Sequence, residues 1–154
     1  MKVRSWVFET NSSSVHSFSF VGKPEYWTIT PDDRGVIALS FWEFGWWFDV
    51  YETPEGIASY IATGLFNKDA SLADMKAYDS NLYIYDWDSE DIKRFEEVIK
   101  EHTWAKVIAY TYDPKSRKSF WYIDHQSDNL YLDMMKDMKE SIFRKGALII
   151  SSDN

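Results

Sequence analysis

Apolar and polar positions alternate along the start of the chain. The alternation predicts strands over 3–8 and 15–21, joined by the polar loop Glu9-Thr10-Asn11-Ser12-Ser13-Ser14. Trp27-Thr28-Ile29-Thr30 reads as a third extended piece that stops at the turn Pro31-Asp32-Asp33-Arg34-Gly35, and 36–41 reads as a mostly buried strand. At Thr53-Pro54-Glu55 the pattern changes: Thr is a good N-cap, Pro suits the first helical position, and Ile57, Tyr60, Ile61 and Leu65 recur on one helical face. A second, shorter helix is expected from Ser71 to about Tyr78. Helices this brief have little stability alone and are expected to pack on the sheet.

In the second half, Leu82 to Trp87 reads as a strand. Asp88 or Ser89 then caps a helix whose Ile92, Phe95, Val98 and Ile99 have helical spacing, and Lys106 to Tyr112 follows as a β-branched strand. After the turn Asp113-Pro114-Lys115-Ser116, a strand is expected over 119–124, a helix from about Asn129 to Arg144, and a strand over 147–150. Tyr131, Met134, Met135, Met138 and Ile142 form one helical stripe, and Gly146 closes the helix. These elements predict an α+β protein, mainly antiparallel sheet with three or four helices. The order β-α-β-β-α-β over 82–150 is that of a ferredoxin-like unit. No linker interrupts the 154 residues, so one domain is expected, with a β-rich half over about 1–80 and an α/β half over about 81–150.

Composition narrows the chemistry. The chain has no cysteine, which excludes a disulfide framework, a thiolate nucleophile and thiolate-ligated metal. No segment is long and apolar enough to read as a membrane span, and no apolar signal core follows Met1, so a soluble cytoplasmic protein without a membrane partner is expected. The formal charge is −8, spread over both halves, which argues against non-specific nucleic-acid binding. What stands out is the aromatic content, with 8 Trp, 10 Tyr and 10 Phe, seven of them in residues 41–51.

Three segments carry candidate chemistry. In Thr10-Asn11-Ser12-Ser13-Ser14-Val15-His16-Ser17, short hydroxyl and amide side chains offer donors for a phosphate, and His16 supplies an acid, base or cation. Strand alternation puts His16 on the same face as Phe18 and Phe20. The same residues also suit a plain hairpin loop of Asx and Ser turns. In Trp42-Glu43-Phe44-Gly45-Trp46-Trp47, Glu43 among aromatics is a candidate proton donor or base, and Trp46 a stacking platform. Core packing or a protein-binding patch are the other readings of that segment. In Tyr122-Ile123-Asp124-His125-Gln126-Ser127, polar groups gather where a strand meets a helix start, which serves either a binding site or simple capping. His102, at the end of a charged helix, reads as structural.

Together, Phe8-Glu9-Thr10-Asn11-Ser12-Ser13-Ser14-Val15-His16-Ser17, Glu43-Phe44-Gly45-Trp46 and Ile123-Asp124-His125-Gln126-Ser127 resemble segments of a loose group of uncharacterised bacterial and phage proteins. Those proteins open with Thr-Asn-Ser-Ser-Ser-x-His and carry Glu-Phe-Gly-Trp and Asp-His-Gln-Ser downstream. The resemblance covers about 20 residues. It implies a prokaryotic or phage origin and one shared site for Asn11, Ser12, Ser13, Ser14, His16, Glu43, Asp124 and His125; it supplies no activity.

Two functions follow as expectations. The first is a pocket for a small anionic, phosphate-bearing ligand such as a nucleotide. Asn11, Ser12, Ser13, Ser14, Trp46 and Asp124 would bind it, and His16, His125 and Glu43 would supply any acid–base chemistry. No reaction is predicted. A divalent cation on His16, His125 and Glu43 or Asp124 is chemically allowed, but no His pair four residues apart sets its geometry, so no metal ligand is predicted. The second is a non-enzymatic inhibitor or anti-defence protein that binds a host protein through an acidic, aromatic surface.

Overall fold

A computed structural model describes residues 3–9, 14–21, 25–41, 43–44, 49–79, 81–112, 122–123 and 130–153. The strands are β1 (Val3–Glu9), β2 (Ser14–Val21), β3 (Val36–Ser40), β4 (Glu43–Phe44), β5 (Asp49–Tyr51), β6 (Met75–Asp79), β7 (Leu82–Tyr85), β8 (Val107–Thr111), β9 (Tyr122–Ile123) and β10 (Leu148–Asp153). The helices are α1 (Pro54–Asp69), α2 (Glu90–Thr103), α3 (Leu130–Met134) and α4 (Met138–Phe143). The strands form two four-stranded sheets, β1-β2-β10-β5 and β3-β8-β7-β6, and the pair β4-β9. The first sheet is antiparallel throughout, and the second is antiparallel except for the parallel pair β3 and β8. The fold is therefore α+β and mainly antiparallel.

Helix α1 lies at the centre. Thr53 Oγ1 accepts from the Gly56 N–H (3.1 Å) and Pro54 takes the first turn, as the local sequence requires. The expected stripe of Ile57, Tyr60, Ile61 and Leu65 is buried, and so are Ala58, Ala62, Thr63, Gly64 and Phe66, because α1 packs on β3, β9 and the other three helices. Gly64 permits the closest approach: a Cβ there would stand 2.5 Å from the Tyr131 ring. Helix α2 keeps the ordinary two-faced pattern, with Ser89 as its N-cap and Ile92, Phe95 and Ile99 buried. One core cluster runs from Phe18 to Ile149 and draws on both halves of the chain.

Three expectations change. Residues 71–78 form a 3₁₀ turn (Leu72–Asp74) and then β6, not a helix: Asp74 Oδ2 accepts from the Ser71 N–H (2.7 Å), and the next residues gain ladder partners from β7. The single helix over 129–144 breaks at a 3₁₀ turn (Met135–Asp137). There Asp137 restarts the helix by accepting from the Glu140 N–H (3.4 Å), and Ser141 Oγ donates to the Met134 carbonyl (2.9 Å). The ferredoxin-like order of elements is present, but among the described residues its four strands do not share a sheet: β7 pairs with β8, β9 with β4, and β10 with β2 and β5. The N-terminal hairpin supplies the partner that draws β10 away.

Candidate functional site

The β1–β2 hairpin positions the first motif. Glu9 pairs with Val15, so the ladder closes on the Ser-rich loop, whose Asn11, Ser12 and Ser13 lie outside the described residues. For Ser14 and His16 the backbone is placed, at the loop end of β2. Phe18 is fully buried, and His16 stands two residues before it along β2.

The register across the sheet shows what stands beside His16. Phe8, His16, Ser151 and Asp49 form one continuous row across β1, β2, β10 and β5. With strands about 4.8 Å apart, the His16 and Asp49 backbones are about 10 Å from one another. Two residues along, Trp6, Phe18, Ile149 and Tyr51 form another row, with Phe18 and Ile149 fully buried. Along the register, the row of Phe18 and Ile149 is thus followed by the row of His16, Ser151 and Asp49 on the way to the Ser-rich loop. Ser14 stands opposite Asp153 at that end. Asp49, Ser151 and Asp153 escaped the sequence reading because their adjacency depends on strands far apart in the chain.

The second and third motifs meet directly. Strands β4 and β9 run parallel, with Glu43 opposite Tyr122 and Phe44 opposite Ile123. Glu43-Phe44 and Tyr122-Ile123 therefore run in the same chain direction through the pair. Trp46, Asp124 and His125 lie outside the described residues, and for Glu43 the backbone alone is placed. The motif pair and His16 belong to different sheets, linked by the chain from β4 to β5. Among the described residues, no group of three or more His, Asp or Glu side chains is arranged to hold a metal.

Elsewhere, two features stand out electrostatically or by exposure. Glu96 on α2 is mostly buried and accepts a hydrogen bond from the fully buried Tyr110 hydroxyl (3.2 Å). Burial raises its carboxyl to about 7, against the opposing pull of the Lys100 ammonium and the Tyr110 bond. Trp104, which ends α2, has φ 64° and is 89% exposed, and Trp87 before the same helix is 65% exposed. No local signal marks Trp104, since Gly or Asn is the usual residue in that backbone conformation. His102 is structural, as expected: its Nε2 lies 3.0 Å from the Trp27 carbonyl oxygen and its ring stacks on Phe143 at 4.0 Å.

Among the described residues no helix is long and apolar enough to cross a membrane. Comparison with protein-family models, curated proteins and solved structures finds no match to the chain.

Proposed function

We propose that this is a small accessory protein of the bacterial or phage type that binds a phosphate-bearing small ligand, specifically a nucleotide, where its first sheet meets the Ser-rich loop. The observation that carries the reading is the row His16, Ser151 and Asp49 beside the closing end of the β1–β2 hairpin. The loop residues Asn11, Ser12, Ser13 and Ser14 hold the phosphate through hydroxyls and amides, and His16 adds a donor. Trp46 stacks on the base. Glu43, Asp124 and His125 reach the ligand from the β4–β9 pair, whose parallel register supports a common origin for those motifs. No reaction is assigned.

Charge refines the ligand. Glu9, Asp49 and Asp153 stand at the same end of the sheet, which disfavours a triphosphate or free inorganic phosphate. Carboxylates suit ribose hydroxyls instead. Nucleoside monophosphates are therefore the expected class. Calorimetry of wild type, His16→Ala and Ser13→Ala against nucleoside mono-, di- and triphosphates tests this. Monophosphates should bind best to wild type and at least about tenfold more weakly to each variant, a loss of roughly 1.4 kcal/mol. Absence of binding to wild type, or equal binding by the variants, contradicts it.

Exposed indoles at Trp87 and Trp104 favour a second reading, docking of a host protein on an acidic, aromatic surface. Its test is capture of a stoichiometric partner that is lost when Trp87 or Trp104 is replaced by Ala.

A further inference from the structure

A cavity of about 530 Å³ opens at the other end of the first sheet, between the turn that enters α1 and the start of β10. Pro54, Ala147 and Leu148 supply its apolar surface, and the half-exposed Trp27 indole is one wall. Its charged lining residues are Glu52 and Glu55, both exposed and neither in an ion pair among the described residues. Among the described residues, no Lys, Arg or His lines it.

We propose that this cavity binds a small organic cation of the alkylammonium class. An indole face attracts an ammonium through its quadrupole, the carboxylates add full negative charge, and the apolar surface takes the alkyl groups. Lys145 Nζ lies 4.9 Å from the Trp27 ring centroid and 3.6 Å from Glu25, so a bound ammonium uses this indole in competition with that side chain, which keeps Glu25 as its partner. The N-terminus of α1 does not reverse the preference. Pro54 has no N–H to offer, Thr53 occupies the Gly56 N–H, and two carboxylates outweigh the half charge of a helix end. The net charge of −8 further raises the local concentration of cations. A second cavity of about 420 Å³ between α2 and α4 has no such selectivity, because Arg94, Lys136 and Lys139 share its lining with Glu101 and Asp137.

Choline and its uncharged isostere 3,3-dimethyl-1-butanol are the probes, read by amide chemical shifts of the full chain. Choline should shift the amides of residues 52, 53, 55 and 146–148 saturably, with a Kd at or below about 1 mM, and the isostere should bind at least about tenfold more weakly. Glu52→Gln with Glu55→Gln, which conserves shape, should weaken choline about tenfold, as should Trp27→Ala. Equal binding of the isostere, unchanged affinity in the glutamine double variant, or no saturable response to choline up to about 50 mM overturns the proposal. The nucleotide reading concerns the opposite end of the sheet and stands or falls separately.

Discussion

The two sheets divide the molecule's work differently. The second sheet, β3-β8-β7-β6, is bound to the core by aromatic rings: Phe41 stacks on Tyr110 at 5.0 Å, and Phe66 meets both at 4.6 Å and Tyr85 edge-on at 5.3 Å. The notable polar group beside it, Glu96 on α2, is bonded to Tyr110 of β8. The first sheet has an apolar row at Phe18 and Ile149, a row of His16, Ser151 and Asp49 toward the Ser-rich loop, and the cavity at Trp27 beyond its other end. A sheet covered by a helix layer is optimised for packing, whereas strand ends can present polar groups without burying them unsatisfied. Substitutions in the second sheet and its helices should therefore change stability, and those at the ends of the first should change binding.

The largest expected effect is at Phe66. Phe66→Ala removes a ring that touches three others and should cost about 3–5 kcal/mol, against a typical total of roughly 5–15 kcal/mol. Denaturant titration measures it, and a loss below about 1 kcal/mol would break the assignment of the core to this layer. Next is the pH dependence from Glu96. Its folded carboxyl sits at about 7 against an ordinary value of 4.5, so the folded state holds the proton more tightly than the unfolded chain. The stability this contributes is complete below pH 4.5 and is lost as pH rises through about 7, with an upper bound of ~3 kcal/mol. Glu96→Gln should flatten that slope and leave the variant more stable than wild type at pH 8. A wild-type slope retained in the variant would remove Glu96 as its source.

At Gly64, helix propensity and packing oppose one another. Alanine gains about 1 kcal/mol of propensity, but its methyl enters the Tyr131 ring, so Gly64→Ala should destabilise by about 1–3 kcal/mol. A rise in Tm would show that α1 and α3 can separate freely. The smallest effect has the opposite sign. Trp104 holds a left-handed backbone and an exposed ring, so Trp104→Gly should stabilise the fold by about 1 kcal/mol. If the fold loses stability instead, the indole has a structural role.

Legibility from sequence follows the same division. The caps at Thr53 and Ser89, the apolar stripe of α2 and the strand at β8 were readable because each is a local signal satisfied locally. Residues 71–78 were not, because pairing with β7 outweighs a weak helical preference. The break at Met135–Asp137 depends on Asp137 capping a new turn within an unbroken apolar stripe. At the candidate site, His16 could be placed on the Phe18 face by alternation alone, whereas Asp49 and Ser151 enter only through a register that joins residues 16, 49 and 151. The cavity at Trp27 likewise draws its lining from three separate segments, 27–28, 52–55 and 146–148.

The central claim is that the loop end of the first sheet is the nucleotide-binding end. Amide chemical shifts during titration of the full chain with the four ribonucleoside monophosphates test it most directly. Saturable shifts at residues 14–17, 49–51 and 151–153, with the amides of α2 and β8 unmoved, are the predicted result; no response to any of the four, or shifts confined to other parts of the fold, contradicts it.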